Sequence, residues 1–215
     1  LLQINLGAII TTIASITLLV ASLVALTQDN LKRRLAYSTV GQLSYMVLGA
    51  GMLSAAGMTG GILHIAMHAF GKITLFFCAG AIYVASGKKY ISQMDGLGRK
   101  MPITFFAFFL GAMSIIGLPP LGGFISKWQL LVGAVDSGQL ILLLILLFSS
   151  LLNAAYFLPI VYRAFIHPLP ADATAERQEA PVFCLVPICI VAIASLSLFF
   201  AHGVFVALAQ MALGG

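Results

Sequence analysis

Acidic side chains are scarce in this sequence. Six Asp and Glu stand against eleven Lys and Arg among 215 residues, and none of the six falls inside a long apolar run. Basic groups carried into such runs therefore have no carboxylate partner within the chain. Charge of either sign is thin as well, 8% of residues, where a soluble domain carries about a quarter. With 61% hydrophobic residues, the composition excludes an ordinary soluble domain and fits an all-α polytopic membrane protein. Cysteine is limited to Cys78, Cys184 and Cys189, each in an apolar run. Their spacing suits neither a zinc site nor a disulfide framework, so they read as small packing residues. No phosphate loop, haem-ligand pair or nucleophile elbow is present, so no catalytic residue, metal or cofactor is expected. No basic segment precedes Leu1 to Ala25, and no Met starts the chain. Those two features predict no cleaved signal peptide and a fragment of a longer protein.

What is there is a series of apolar runs. Leu6 to Leu26 is a first span, closed by Gln28-Asp29-Asn30 and the Lys32-Arg33-Arg34 cluster. Leu35 to Leu53 is a second, and its first half carries Tyr37, Ser38, Thr39, Gln42, Ser44 and Tyr45. That density of hydroxyl and amide groups suits a helix lining a polar seam. Ser54 to Gly60 reads as a short link into a third span, Ile62 to Ser86, which ends before Gly87-Lys88-Lys89 and a polar loop with Asp95, Arg99 and Lys100. The next run, Ile103 to about Gly133, is too long for one straight span of ~20 residues. It is interrupted at Gly117-Leu118-Pro119-Pro120-Leu121-Gly122-Gly123. Proline removes a backbone donor and clashes with the preceding turn, and glycine weakens the helix further. A broken helix is predicted, its halves joined by an extended piece near the bilayer midplane, where it must be buried in protein or line a watery cavity. Leu140 to Val161, with Asn153 and Pro159, is a fifth span. A loop of mixed charge, Arg163 to Ala180 with Asp172, Glu176, Arg177 and Glu179, leads to a last one, Val182 to about Ala209, plain apart from His202. Six spans are expected, one of them broken at Gly117–Gly123.

If the spans alternate, Lys32, Arg33, Arg34, Lys88, Lys89, Arg99, Lys100, Arg163 and Arg177 all fall on one side, and the opposite loops hold only Asp136. Nine of the eleven basic residues on one side mark that side as cytoplasmic. The chain is expected in a cell inner (plasma) membrane, with basic loops 29–34, 87–101 and 163–181 facing the cytoplasm. The net charge of +5 is thus a matter of topology and implies no nucleic-acid partner. The two basic exceptions, Lys72 and Lys127, sit at membrane depth.

Lys72 completes a ladder with His64 and His68, at i, i+4 and i+8 in an otherwise apolar stretch. A helix turns about 100° per residue, so the three share one face and rise about 12 Å along it. A central Lys costs ~2.5–3.5 kcal/mol on the insertion scale and must face protein or water, which by default marks an ion or proton path. Desolvation disfavours a charged ammonium, so a lysine at such depth can hold either charge state near neutral pH, and histidine is near its midpoint there already. A row of Lys72, His68 and His64 with water between could pass protons, with Lys127 on the broken helix as terminal donor or acceptor. Plainer readings stand beside these. Lys127 could snorkel along its apolar stem, His202 could simply pack, the Lys32-Arg33-Arg34 cluster could be only a topology signal, and Asn153 suits a helix–helix hydrogen bond. His64 and His68 have the spacing of a metal-ligand pair but no third ligand.

The stretches Asp-Asn-Leu-Lys-Arg-Arg-Leu-Ala-Tyr-Ser-Thr-Val-Gly-Gln-Leu-Ser-Tyr (29–45), His-Ile-Ala-Met-His-Ala-Phe-Gly-Lys (64–72) and Gly-Leu-Pro-Pro-Leu-Gly-Gly-Phe-Ile-Ser-Lys-Trp (117–128) resemble, in order, the proton-conducting antiporter-like membrane family. Its members are large subunits of respiratory complex I, of membrane hydrogenases and of Mrp-type sodium/proton antiporters. The ending Phe-Ile-Ser-Lys-Trp leans toward the D-type component of Mrp antiporters. The resemblance implies a fold of two inverted five-helix repeats, each with a broken helix, of which this chain holds the second plus one helix: 1–163 as the repeat, 164–181 as a cytoplasmic loop and 182–215 as a C-terminal transmembrane helix. It implies Lys72 as central relay lysine with His64 and His68, Lys127 as the lysine exchanging protons with one side, and Asp29 and Lys32 as the family's Asp-x-x-Lys. Ser38 and Gln42 of the polar seam and Asn153 are expected as supporting residues beside these. The first repeat, with its glutamate–lysine pair, is absent, so either the chain is a C-terminal portion or another chain supplies that half.

The implied function is proton translocation within a monovalent cation/proton antiporter complex, with other membrane subunits, protons, possible Na+ and the lipid bilayer as partners. The alternatives are a proton-pumping subunit of NADH-quinone oxidoreductase or a membrane hydrogenase, a quinone-handling redox subunit, and a non-conducting structural subunit. By itself the chain reads as a transporter subunit rather than an enzyme.

Overall fold

The structure, a computed structural model, describes residues 6–169 and 176–214. These form α1 (Leu6–Thr27), α2 (Leu31–Gly51), α3 (Ala55–Ser86), α4 (Leu97–Lys100), α5 (Pro102–Ile116), α6 (Gly122–Asp136), α7 (Leu140–Phe165), α8 (Val182–Phe200) and α9 (His202–Ala212), with one 3-10 turn at Ile91–Gln93. The all-α fold follows the apolar runs, because a chain in lipid must satisfy its backbone internally. Four helices, α1, α3, α7 and α8, are long and apolar enough to cross a membrane. α2 is long enough, but Lys32, Arg33 and Arg34 in its first turn and its polar side chains dilute it. α5 and α6 are 15 residues each, the two halves of the expected broken helix. The outer surfaces of α1, α7 and α8 are apolar and exposed, with Ile13, Ile16, Leu151, Phe183 and Ile193 pointing outward.

Several boundaries differ from the sequence expectation. The Ser54–Gly60 stretch is not a link: α3 begins at Ala55, and Ser54 caps it by accepting from Gly57 N at 3.2 Å while donating to Gly133 O at 3.1 Å. Its glycines serve close packing, since a Cβ at Gly60 would stand 2.8 Å from Leu130 N and one at Gly61 3.0 Å from Met46 O. Small residues that let backbones approach are how membrane helices associate. α2 starts at Leu31 rather than Leu35, because Asn30 Oδ1 accepts from Arg33 N at 3.1 Å. Arg34 is therefore more than a topology signal, donating to Gln28 O, Tyr156 O and Leu26 O. α7 carries Arg163 to Phe165 within the helix. Asp172 of the expected loop lies outside the described residues.

The last span is divided at Ala201 into α8 and α9. There His202 Nδ1 donates to Phe199 O at 2.7 Å, diverting a last-turn carbonyl, and Gly203 follows. The break between α5 and α6 is narrower than Gly117–Gly123, since Gly122 and Gly123 already belong to α6. Gly117 ends α5 in the left-handed region at φ 90°, its N–H bonded to Met113 O at 3.0 Å. A Cβ at Gly123 would run into the Ser114 carbonyl, so this glycine lets the two half-helices touch.

The basic segments meet at one end of the bundle. Leu31 N donates to Lys89 O and Ile91 N to Asp29 O, at 3.0 and 2.8 Å. Asp29 accepts from Ser92 N and Oγ at 3.0 and 2.7 Å. Arg163 grips Asp95 through two bonds of 2.8 and 3.2 Å, and Glu179 accepts from Ile103 N and Thr104 Oγ1 at the start of α5, where a carboxylate complements the helix dipole. One core cluster, with Leu35, Leu75, Ile82, Phe105, Phe108 and Phe157, lies beneath this end. A second, with Leu18, Leu48, Leu130 and Leu146, lies toward the other. Polar groups are held between them.

Candidate functional site

Lys72 projects from α3 against α2. Its residue is 5% exposed, and Nζ donates to Ser38 Oγ at 2.6 Å and Leu35 O at 3.2 Å. The Phe157 ring lies 5.5 Å from the ammonium, within reach of a cation–π contact. Ser38 Oγ lies 2.8 Å from Tyr156 Oη, and Tyr156 donates in turn to Asn153 Oδ1. Lys127 projects from the second turn of α6, is 6% exposed, and donates to Ile116 O and Ser150 Oγ, both at 3.1 Å. The Tyr45 ring lies 4.6 Å below its ammonium. The end of α5 thus supplies a carbonyl freed by the helix break, the kind of acceptor a half-helix C-terminus offers a cation. Lys127 does not snorkel.

Between the lysines, His64 bonds Ser126 Oγ at 2.9 Å and Gln42 Oε1 at 3.1 Å. Its ring stacks on His68 at 5.7 Å between centroids and tilts against Tyr45 at 5.2 Å. The ladder is thus real as geometry, with both imidazoles buried. Gln42 Nε2, His68 Nε2, Ser149 Oγ and Asn153 Nδ2 are buried without a protein partner. Buried polar groups are seldom left so, and internal water is the usual partner of such atoms. Among the described residues, the carboxylate contacts to basic side chains are those of Asp95, with Arg163 at 2.8 Å and with His167 Nδ1 at 3.4 Å, so neither lysine has a carboxylate partner there.

The site brings together Lys72, Lys127, His64, His68, Ser38, Gln42 and Asn153. It does not gather Asp29 and Lys32. Asp29 holds Ser92, and Lys32 stands 5.5 Å over the Tyr83 ring, both at the basic end. Of the break residues, Gly117 packs on the Lys127 stem, where a Cβ would stand 2.6 Å from Cδ, and Gly122 and Gly123 seat α6 against its neighbours. Pro119 and Pro120 fill the turn between the halves. Sequence reasoning missed Tyr156, Ser149, Ser150 and Ser126, and counted Tyr45 only as part of a polar stripe. The spacing Ser149, Asn153, Tyr156 places three polar groups on one face of an apolar helix, which was the available signal.

These features define a multi-pass membrane protein with ionisable groups sequestered beside a discontinuous helix. Residues 2–153 match the family described as NADH:quinone oxidoreductase/Mrp antiporter, TM, and the chain belongs to that family. It is 38% identical over 191 residues to NADH-quinone oxidoreductase subunit N of Desulforudis audaxviator, covering 84% of this chain and 38% of that protein. It is 38% identical over 174 residues to NADH-quinone oxidoreductase subunit L of Rickettsia bellii, covering 80% of this chain and 26% of the relative. In fold it superimposes on a chain of the Mrp complex from Dietzia sp. DQ12-45-1b with a TM-score of 0.88 at 24% identity, covering 95% of this chain and 46% of the other. The chain therefore spans less than half the length of these relatives.

Proposed function

We propose that the chain forms part of a proton-translocating subunit working inside a multi-subunit membrane complex, with Lys72 and Lys127 as the groups that take up and release protons. The observation that supports this reading is that, among the described residues, both ammonium groups are buried in apolar helices and hydrogen-bonded only to neutral oxygens. A permanently charged lysine there would be costly without a counter-ion, whereas one that cycles between charge states uses such acceptors only while protonated. His64, His68, Ser38, Gln42 and Asn153 support the relay. The chain through the end of α7 acts as one repeat, the segment between α7 and α8 as a cytoplasmic loop and 182–215 as a C-terminal membrane segment, in a cell inner membrane with the basic end toward the cytoplasm.

The finer reading is exchange of protons for a monovalent cation such as Na+, as in the D-type component of an Mrp antiporter, supported by Phe-Ile-Ser-Lys-Trp at 124–128. A second reading, a proton-pumping subunit of an NADH-quinone oxidoreductase, is supported by the 38% identity to subunits N and L. Reconstitution of the full-length subunit with its native complex into vesicles, with a pH dye inside, tests both. Proton movement driven by a Na+ gradient supports the first, and movement driven by NADH and quinone supports the second. No proton movement under either drive overturns the proposal.

A further inference from the structure

The hydrogen bonds leaving the two lysines do not run along the histidine ladder. Among the described residues, Lys72 has no bond to His68, and the His68 Nε2 has no partner. His64 is engaged by Ser126 and Gln42, and Ser126 turns away to Gly123 O. The direct bonds lead sideways instead, onto α2 and α7. From Lys72 they pass through Ser38 to Tyr156, and from Lys127 through Ser150, whose Oγ lies 3.5 Å from Tyr45 Oη. The two phenols meet neighbouring positions of one helix: Tyr156 donates to Asn153, and Tyr45 Oη stands 3.5 Å from Ser150 Oγ, three residues away on α7. Asn153 Nδ2 and Ser149 Oγ, one turn apart on α7, and Gln42 Nε2 on α2, one turn after Ser38, are buried and unpartnered among the described residues.

We propose that protons pass between Lys72 and Lys127 through the hydroxyl groups of Ser38, Tyr156, Tyr45 and Ser150, with water, held by the unpartnered polar groups of Asn153, Ser149 and Gln42, linking the two phenols. This deepens the proton-translocation reading and rests on it. An N–H bond of the Lys72 ammonium breaks as an O–H bond to Ser38 forms, and Ser38 gives its original proton to Tyr156. Tyr156, turned from Asn153 to the water, gives up its own proton, and the water passes one to Tyr45. Tyr45 and Ser150 repeat the exchange until a new N–H bond forms on the neutral amine of Lys127. Every hydroxyl and the water end with the number of protons they began with, and no electrons change hands. An amide oxygen is not a carrier in this sequence, so Asn153 is a positioning residue, holding the Tyr156 hydroxyl at the junction.

The test uses the full-length subunit in its native complex, reconstituted into vesicles, with proton flux and complex assembly read in parallel. Tyr156→Phe and Tyr45→Phe keep the rings that pack on Phe157 and under Lys127, and each should slow flux at least about tenfold. That is less than the ~10²–10⁴ a positioned proton-transfer group contributes, because added water can partly replace a hydroxyl. Ser150→Ala should slow flux, while Ser150→Thr, which restores a hydroxyl, should keep it; a purely structural role would not sort the pair by hydroxyl. Wild-type flux in both phenylalanine variants, with Lys72→Ala inactive, overturns the hydroxyl route and leaves the translocation reading standing. Wild-type flux in Lys72→Ala as well overturns the reading beneath it. If a phenylalanine variant fails to assemble, the Ser150 pair decides: equal rates for Ala and Thr overturn the route.

Discussion

Lys72 and Tyr156 share one serine, with Ser38 Oγ 2.6 Å from the ammonium nitrogen and 2.8 Å from the phenol oxygen. Ser38 is thus the point at which three helices, α2, α3 and α7, are joined by polar contact inside an apolar bundle. Ser38→Ala leaves Lys72 with Leu35 O alone and removes a bond of the charge-assisted kind. The expected cost is about 1.5–3 kcal/mol of stability, read as a lowered Tm of the purified complex in detergent. An unchanged Tm would mean that water or a shifted side chain replaces the hydroxyl fully.

The α5–α6 junction depends on backbone contact at Gly123. A Cβ there collides with the Ser114 carbonyl, and backbone cannot yield as a flexible side chain does. Gly123→Ala should cost about 1–3 kcal/mol or more and lower the amount of assembled protein in the membrane. Gly80→Ala, inside α3 where nothing lies within 4 Å of the new Cβ, should leave abundance unchanged and hold or slightly raise Tm.

The clamp between Asp95 and Arg163 closes the basic end. The hydrogen bonds from Arg163 are the main cause holding the Asp95 carboxyl below the usual carboxylate range. A depressed acid contributes stability above its unfolded value, about 3.9, and loses that contribution as pH falls through the lower folded value. Asp95→Asn should therefore be less stable than the parent at pH 7, with the difference shrinking as pH falls below about 4. Both side chains are about a third exposed, so the effect at pH 7 should stay at or below ~1 kcal/mol and shrink in high salt. Urea titrations of the purified complex at several pH values measure it.

Sidedness follows from the clustering of loops. Lys89 lies at the basic end, and Asp136, exposed at the end of α6, terminates the helix whose Gly133 accepts from Ser54 at the opposite end. A membrane-impermeant maleimide should label Lys89→Cys only from the cytoplasmic face and Asp136→Cys only from the other. Labelling of both from one side would contradict the orientation.

The broken helix and the buried lysines were legible in the sequence because both rest on local chemistry. Pro119-Pro120 flanked by glycines cannot continue a helix, and a lysine in an apolar run stands out in any reading. The glycines at 57, 60 and 61 misled because glycine weakens a helix by itself yet permits close helix contact in a membrane. Only the neighbours, α2 and α6, decide between these. Asp29 and Lys32 carry charge, which marks a helix end at the membrane surface rather than the buried site. Ser150 was illegible for a different reason, and the spacing that put Tyr156 on a polar face did not say what it meets: both roles depend on the rotation of α7 against α2 and α6, which is set by packing among distant segments.

The most direct measurement is proton flux by the full-length subunit in its native complex carrying Lys72→Met, a neutral side chain of similar length that keeps the volume of the site. If Lys72 carries the transferred proton, flux should fall ~10²-fold or more while assembly and Tm hold. Flux at the wild-type rate in an assembled Lys72→Met complex would mean that protons do not pass through this residue.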